Sequence, residues 1–376
     1  MADPLTDNRD WAVRLNGALW LALILFALAG LLVVRHLPVW MIALVIVAGI
    51  ALGVMLFLPR WLVKRKAPAY SPRRSFFALA LAGVFGVTGF VSLPLYYLAF
   101  WVQTGPTAVP LVTLSNGWKT VVFQGMQHVA SEDFYKSVVF DLEKALVDGY
   151  TLFYEGVQPV PGRPDLNEWF NKTLRGTDTD LSAGYVKLAD ECGLKFQLTY
   201  FQPLLADKPI HPSRHVTADV SYLDMQTEYE RLIREEPAFA AAMAAKLATN
   251  KKEKTEDPLR PLFDSVTETT QGQKNLIGIA CRGVLGMAVS GKLGEEKDPT
   301  QRIILNFRNK ALARYVAESK DDKIYITYGA AHFPGFFAQL QKIDPKFSIR
   351  SVKGVRPMTL PDEVNLAPSA VSGSGG

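Results

Sequence analysis

The stretch KTVVFQGMQHVASEDFYKSVVFDLEKALVDGYTLFYEG (residues 119–156) decides the fold of this chain. Two short apolar runs, Lys119 to Phe123 and Tyr150 to Tyr154, predict strands, and apolar residues recur at helical spacing between them. Ser131 suits the start of that helix, and Gly149 suits its end. A strand–helix–strand unit places its strands parallel and usually adjacent. The stretch therefore predicts an α/β fold with a mainly parallel sheet and flanking helices.

Further elements are predicted on the C-terminal side of this unit. Strands are expected at 194–201, 217–223, 323–328 and 348–352, and helices at 227–247, 303–316 and 336–342. The apolar segment 275–289 contains three glycines, which is consistent with a closely packed helix or a mobile lid. The α/β domain is expected over 118–355 with a helical insertion at about 225–296. A disordered tail is expected at 356–376.

Three long uncharged apolar runs precede this domain. They cover residues 18–34, 39–58 and 75–102, and each is close to or above the roughly 20 residues that cross a bilayer as a helix. Only four residues join the first two runs, which permits a tight helical hairpin. The chain is therefore expected to be an integral membrane protein with three transmembrane helices. Residues 103–117 carry no charge and contain prolines and glycines, so they are interpreted as a linker.

The distribution of charge predicts the orientation of the membrane segments. The formal net charge is +5, yet residues 1–102 carry nine Lys or Arg and three Asp or Glu, which leaves −1 for residues 103–376. Six of the basic residues lie between the second and third runs, and basic loops stay in the cytoplasm. The N-terminus is thus expected to be cytoplasmic and residues 103–376 extracytoplasmic, or periplasmic in a bacterium. If the first run were a cleaved signal peptide, the basic loop would still be cytoplasmic and residues 103–376 would still be extracytoplasmic.

Composition also excludes some classes of function. The soluble part has no excess of positive charge, so it is not expected to bind nucleic acid. Cys192 and Cys281 allow one disulfide at most, which fits neither a disulfide scaffold nor a Cys-rich zinc site, and their redox state is left open. His211 and His215 have the spacing of some zinc ligands, but neighbouring prolines predict a loop with both histidines at the surface. Since no Gly-x-Ser-x-Gly motif is present, serine-hydrolase chemistry is poorly supported.

Two places in the sequence share one arrangement, in which an apolar strand ends in Gly-x-x-His. The first ends at His128 and the second at His332. Ligands of open α/β sheets bind beyond the carboxyl ends of the strands, where both histidines are expected. Glu155 directly follows the second predicted strand and should reach the same edge. Two imidazoles and one carboxylate are therefore expected to converge.

Arg308 is a further candidate because of its position on a predicted helix. At 100° per residue along 303–316, it falls on the apolar face, where a guanidinium needs an acidic partner or a ligand. A structural explanation exists for each candidate. The histidines could be hydrogen-bonded residues of the core, Glu155 a cap, and Arg308 a member of a structural ion pair.

Four segments together resemble the TraB/PrgY/GumN family, which is related to the TIKI metalloproteases. They are Gln124–Ala130, Tyr154–Gly156, Arg308–Asn309 and Tyr328–Gly335, and they occur in the order of the family. The segments Gly193–Gln197 and Ala218–Ser221 are also similar. The resemblance covers roughly 118–352 and leaves out the three N-terminal runs and the region around 225–296.

This resemblance implies a fold shared with erythromycin-esterase-like and ChaN-like proteins, and an active site with two Gly-x-x-His motifs, a glutamate and an arginine. TIKI-like members are metal-dependent proteases, PrgY-like members restrain peptide pheromones, esterase relatives use histidine without a metal, and ChaN-like relatives bind haem. We therefore expect a membrane-anchored, metal-dependent hydrolase, a peptidase acting on peptides or proteins. The alternative is a non-catalytic receptor or regulator that binds a peptide or haem in the same cleft.

The expected roles of the residues follow from this hypothesis. His128, Glu155 and His332 would hold or surround a divalent ion (Mn, Co, Fe or Zn), which activates a water molecule. Arg308 would stabilise the oxyanion or orient Glu155. In a metal-free variant, one histidine is the general base and Glu155 orients it. Gln197 and Asp219 are candidates for positioning the substrate. The sequence does not predict an oligomeric state.

Overall fold

The computed structural model describes residues 4–68, 70–105, 107–176, 181–252, 270–289 and 298–361. The chain divides into two compact units. The first comprises Met1–Trp101 with Glu268–Ala280, and the second comprises Val102–Thr267 with Cys281–Gly376.

The first unit contains the three predicted apolar helices. They are α1 (Pro4–Val34), α2 (Val39–Lys64) and α3 (Pro72–Thr104). Stretches of 22, 26 and 33 residues within them are long and apolar enough to cross a membrane. This confirms the predicted helices by length and composition. Each helix also continues beyond its uncharged run, because flanking polar residues belong to the same helix.

Glycines allow the three helices to approach one another closely. A Cβ atom added at Gly83 on α3 would lie 2.1 Å from the carbonyl oxygen of Gly49 on α2, and one added at Gly30 on α1 would lie 2.4 Å from that of Thr88. Ser92 Oγ donates a hydrogen bond of 3.1 Å to the Gly30 carbonyl. Lipid tails are as apolar as the surfaces of such helices, so burial of apolar surface does not drive the helices together in a bilayer. Close packing at small residues and hydrogen bonds from polar side chains drive helix association instead.

Gly83→Leu is expected to destabilise the helical unit by about 1–3 kcal/mol, because the new side chain overlaps the backbone of α2. Thermal unfolding of the full chain in detergent, followed by circular dichroism, measures the effect. Gly86→Leu is the matched control on the same helix, since nothing lies within 4 Å of its added Cβ. Equal melting temperatures of the two variants would contradict the close contact of α2 and α3.

Every strand of the described residues lies in the second unit. The strands are β1 (Val109–Ser115), β2 (Thr120–Met126), β3 (Val129–Ala130), β4 (Thr151–Tyr154), β5 (Lys195–Phe196), β6 (His215–Thr217), β7 (Lys323–Gly329) and β8 (Ser348–Val355). The helices of this unit are α4 (Glu132–Val147), α5 (Asp165–Trp169), α6 (Leu181–Glu191), α7 (Gln197–Asp207), α8 (Tyr222–Glu235), α9 (Pro237–Lys252), α11 (Arg308–Glu318) and α12 (Phe333–Ile343). The helix α10 (Gln271–Val289) is divided, since its residues up to Ala280 belong to the first unit. Phe170–Arg175 and Arg302–Phe307 form π-helical turns, and Pro212–Arg214 and Ala330–His332 form 3₁₀ turns.

The main sheet has six strands in the order β6-β4-β7-β2-β1-β8. The pairings of β6, β4, β7 and β2 are parallel, and β1 and β8 are antiparallel additions. This confirms the mainly parallel sheet. The expectation that β2 and β4 are adjacent is wrong, because β7 lies between them. The apolar strand β7, with Ile324 and Ile326 fully buried, takes the central position instead.

Each face of this sheet is covered by a different set of helices. On one side Phe153 and Ile326 pack with Leu312 of α11 and Phe336 of α12. On the other side the neighbouring strand residues, such as Leu152, pack against α4 and α7. Because side chains alternate along a strand, both faces are apolar, as expected for parallel strands between two helical layers.

Three local predictions are corrected by the structure. Residues 109–115 fall within the predicted linker, yet they form β1, since Val109, Val112 and Leu114 are buried in the core. The predicted strand at 194–201 is extended only at Lys195–Phe196 and then becomes α7. The predicted disordered tail is ordered as far as 361, where Met358 and Leu360 are buried. Residues 362–376 lie outside the described residues, as do 253–269 and 290–297 of the predicted insertion.

The start of α4 also differs in detail from the prediction. Ser131 is its N-cap residue, but its hydroxyl makes no capping hydrogen bond to the helix. Instead, Ser131 Oγ accepts a hydrogen bond of 2.7 Å from the Thr359 backbone N–H. The same serine therefore fastens the C-terminal segment to the domain.

Candidate active site

Three parallel strands bring the predicted site residues to one edge of the sheet. β2, β7 and β4 are neighbours, and His128, His332 and Glu155 follow their carboxyl ends. Glu155 stays in register with the sheet, because its backbone N–H donates to the Thr327 carbonyl at 3.0 Å. The strand order therefore places two histidines and the glutamate along one rim.

Arg308 is the buried centre of the site. It is the first residue of α11, after a π-helical turn, and it is 6% exposed. Its Nε and Nη2 donate to the two carboxylate oxygens of Asp219 at 2.9 and 2.5 Å, and Nη2 also donates to Glu155 Oε1 at 2.7 Å. Its guanidinium carbon lies 5.3 Å from the ring centroid of Tyr328. One guanidinium thus joins two carboxylates from different strand ends.

Asp219 holds this arginine in place. Its side chain is fully buried, and its carboxylate also accepts the backbone N–H groups of Gly156 at 3.0 Å and Val220 at 2.8 Å. The sequence suggested a substrate-positioning role for Asp219. The structure shows both of its carboxylate oxygens bonded to Arg308, and the substrate-positioning role stays a prediction.

Glu155 uses both carboxylate oxygens. Oε1 accepts from Arg308, and Oε2 accepts the backbone N–H of Gly329 at 2.6 Å. Burial alone raises the pKa of Glu155, but the charge of Arg308, followed by the two histidines, outweighs burial and lowers that pKa to about 2. Glu155 is therefore ionised at neutral pH.

The ring of His332 is fixed by a neighbour on α11. Its Nδ1 lies 2.8 Å from Asn309 Oδ1. Because an amide oxygen only accepts, Nδ1 carries the proton in this arrangement and Nε2 presents a lone pair. That Nε2 lies 3.5 Å from Arg308 Nη1 and 3.7 Å from Glu155 Oε1. Burial lowers the pKa of His332 to about 4, against the opposing effect of Glu155, so the ring is neutral at pH 7.

His128 lies at the junction of two cavities. Its ring centroid is 4.6 Å from that of Tyr185 on α6. Its backbone carbonyl accepts the Gln197 N–H at 3.1 Å. Burial lowers the pKa of His128, while Glu155 raises it, Arg308 lowers it and a hydrogen bond with the Gln197 side chain raises it. Gln197 thus lies against His128, and its role in positioning a substrate stays a prediction.

The two cavities share the polar centre of the site. Both are lined by His128, Glu155, Tyr185 and Arg308, and their volumes are about 320 and 370 Å³. The smaller cavity extends along Gln197, Phe170 and Tyr222, among others. The larger cavity extends toward His332 and an apolar wall. A molecule bound across both cavities would contact the predicted residues near its middle.

A divalent metal is only partly accommodated by this arrangement. The Nε2 lone pair of His332 and the carboxylate of Glu155 are suitable donors, and Asn309 orients the histidine as partners of metal ligands do. However, Glu155 Oε1 already accepts from the cationic Arg308. Within the described ranges, no three His, Cys, Asp or Glu side chains form a group that could hold an ion. The metal expected at His128, Glu155 and His332 stays a prediction.

Sequence reasoning missed several contributors. Asn309 and Tyr185 contact the two histidines, although only their packing in three dimensions reveals it. The prediction that His215 lies at the surface is wrong, because its side chain is fully buried between Tyr154 Oη at 3.0 Å and Asp207 Oδ2 at 2.9 Å. The strand β6 that buries it contains one apolar residue, Val216, so the local sequence gives little signal for this position.

The prediction for the cysteines was open, and the structure resolves it. Cys192, at the end of α6, is disulfide-bonded to Cys281 on α10, with Cα atoms 5.6 Å apart. The bond supports the wall of the larger cavity, since Cys192 and Cys281 pack with Leu188 and Leu285, which line it.

No family model, curated protein or solved structure matches this chain. The resemblance to the TraB/PrgY/GumN family therefore rests on the quoted motifs alone.

Replacement of His332 is expected to reduce the acid sensitivity of the fold. Its pKa lies near 4 when folded and near 6.5 when exposed, so the unfolded chain binds the proton first as pH falls. The unfolding free energy therefore carries no penalty from His332 above pH 6.5. As the pH decreases toward 4, protonation of the unfolded chain lowers the unfolding free energy by about 3 kcal/mol in total. Between pH 7 and 5, wild type should lose about 2 kcal/mol more unfolding free energy than His332→Gln.

Denaturant unfolding of the detergent-solubilised full chain measures this difference. His211→Gln is the control, since the His211 side chain is 60% exposed. Identical pH dependence of wild type and His332→Gln would show that His332 is not held neutral by burial.

Proposed function

We propose that this protein is a membrane-anchored hydrolase, a peptidase that cleaves peptides or proteins outside the cytoplasm. One observation carries the proposal: His128 lines a cleft in which Arg308 and Glu155 are fixed by buried hydrogen bonds, and burial lowers the pKa of this histidine. Perturbed ionisable groups gathered in a cleft are typical of active sites. Their position beyond the carboxyl ends of parallel strands is where α/β proteins bind ligands.

The residues of the cleft account for each step of hydrolysis. His128, unprotonated at neutral pH, takes a proton from a water molecule while the oxygen of that water attacks the scissile carbonyl carbon. Negative charge develops on the carbonyl oxygen, and the Arg308 guanidinium stabilises it. The C–N bond then breaks, and the protonated His128 returns the proton to the leaving amine. Glu155 keeps Arg308 in position and stabilises the imidazolium that forms.

The metal-dependent form of the same hydrolase is the second candidate. It is favoured by the Asn309–His332 hydrogen bond, which leaves Nε2 free of a proton in the manner of a metal ligand. His128, Glu155 and His332 would hold the ion, which would activate water and polarise the carbonyl when bound. Glu155 would then have to share its Oε1 between the ion and Arg308.

Two features support an extracytoplasmic location. The Cys192–Cys281 disulfide is the kind of bond that persists in oxidising compartments and is rare in the cytosol. Six basic residues lie in the last turns of α2, the first turn of α3 and the loop that joins them, and they favour retention of that loop in the cytoplasm. An odd number of crossings then leaves the second unit outside.

His128→Ala is expected to lower kcat for peptide cleavage by about 10²–10⁴-fold, because it removes the proton acceptor. Digestion of a peptide library by the full chain in detergent, analysed by mass spectrometry, first identifies a substrate for kinetics. His211→Ala is the matched control and should retain wild-type turnover. Turnover by His128→Ala equal to wild type would contradict the mechanism.

Elemental analysis and chelation distinguish the two forms of the hydrolase. Stoichiometric metal in wild type, lost in His332→Ala together with activity, would establish the metal-dependent form. Full activity after chelation would establish the histidine-base form. Binding of a peptide or of haem without turnover, with metal supplied, would favour the receptor alternative instead.

A further inference from the structure

Six exposed basic side chains gather where α2 ends and α3 begins. Two lie in the last turns of α2, two follow that helix directly, and two lie in the first turn of α3. Together they form the basic cluster, which comprises Arg60, Lys64, Arg65, Lys66, Arg73 and Arg74. The cluster holds six positive charges, whereas the formal net charge of the whole chain is +5.

The packing of α2 against α3 brings the two halves of the cluster together. The rings of Phe57 on α2 and Phe76 on α3 are in edge contact, with centroids 5.5 Å apart. Arg60 is three residues after the first of these rings, and Arg73 is three residues before the second. Three residues of helix span about 4.5 Å along the axis, so both arginines lie at a similar level beyond the aromatic pair. The basic side chains of both helices therefore converge at one end of the helical pair.

The protein supplies no opposite charge to the cluster. No Asp or Glu occurs in the sequence from Trp11 to Ser131. In the part of the chain that the structure describes, none of the six basic side chains makes an ion pair. The guanidinium carbon of Arg65 lies 5.6 Å from the ring centroid of Trp61, and this contact leaves its charge in place. Since like charges at short range repel one another, the cluster favours anions from outside the protein.

Large apolar side chains lie among these charges. Leu62 and Val63 on α2 are 58% and 81% exposed, and Phe77 on α3 is 70% exposed. A soluble anion would neutralise the cluster but leave these side chains in water. A phospholipid supplies a phosphate for the arginines and acyl chains for the apolar side chains.

We propose that the basic cluster is a binding site for anionic phospholipids, with its Arg and Lys side chains on the headgroup phosphates. Retention of a loop in the cytoplasm depends on how many basic residues it carries and does not require them to converge. A lipid site accounts for their convergence in the folded protein. The site is separate from the cleft at His128 and does not depend on the hydrolase.

Competition between two lipids tests the proposal with the full chain in dodecyl maltoside. Micelles contain equal amounts of dioleoylphosphatidylglycerol, which is anionic, and dioleoylphosphatidylcholine, which has no net charge. Native mass spectrometry measures the ratio of the two lipids that stay bound. The test variant combines Arg60→Gln, Arg73→Gln and Arg74→Gln, and a matched variant carries Lys at the same three positions. Arg35→Gln, an exposed position outside the cluster, is the control.

Wild type is expected to bind phosphatidylglycerol over phosphatidylcholine by at least about tenfold, because each basic residue near an anionic surface strengthens binding about fivefold. The glutamine variant should lose at least about tenfold of this preference. The lysine variant should keep it within about threefold, since the charge remains. Arg35→Gln should behave as wild type.

Melting temperatures measured by circular dichroism give a second readout that needs no variant. Phosphatidylglycerol should raise the melting temperature of wild type in 50 mM NaCl, because a ligand of the folded state stabilises it. At least half of this increase should be lost in 500 mM NaCl, because salt screens exposed charges. An increase that does not change with salt would contradict binding through the cluster, even if the glutamine variant failed to fold.

The remaining outcomes identify other ligands. Equal binding of the two lipids by wild type would overturn the proposal, as would a preference that survives in the glutamine variant. Stabilisation by 10 mM inorganic phosphate equal to that by phosphatidylglycerol would assign the cluster to a soluble phosphate compound and overturn the lipid assignment. Stabilisation by polyglutamate without discrimination between the lipids would overturn it in favour of an acidic protein segment.

Discussion

The ion-pair cluster around Arg308 is the interaction on which the site depends. A guanidinium buried to this extent cannot lose its proton, so it requires compensation by acceptors. Asp219 supplies both oxygens to it, and Glu155 supplies one. These carboxylates follow β6 and β4, whereas the arginine begins α11. The cluster thus ties two strand ends to a helix and fixes the rim where the histidines lie.

This arrangement also determines the charge state of the cleft. Glu155 and Arg308 carry full charge, whereas burial keeps His332 neutral and lowers the pKa of His128. The histidines are therefore available as proton acceptors at pH 7. Asn309 holds Nδ1 of the His332 ring, so Nε2 of the same ring is directed at Glu155 and Arg308. The geometry and the protonation states both favour transfer of a proton to a histidine.

Much of this architecture could be predicted from the sequence, because it depends on local patterns. The apolar runs gave the three long helices, and the phase of Arg308 placed it on the buried face of its helix. What could not be predicted depends on contacts between distant segments. The insertion of β7 between β2 and β4, the addition of β1 to the sheet and the burial of His215 follow from packing in three dimensions. The bidentate contact of Asp219 with Arg308 also could not be predicted, because no local pattern pairs these two positions.

A double-mutant cycle on Asp219 and Arg308 tests the central claim most directly. The measurement is the unfolding free energy of Asp219→Leu, Arg308→Met and the double variant in the detergent-solubilised full chain. Either single replacement leaves a buried charge with fewer partners and should cost about 3–5 kcal/mol. The double variant should cost at least about 2 kcal/mol less than the sum of the two. Additive costs within about 0.5 kcal/mol would show that the two side chains are not coupled, and would contradict the account.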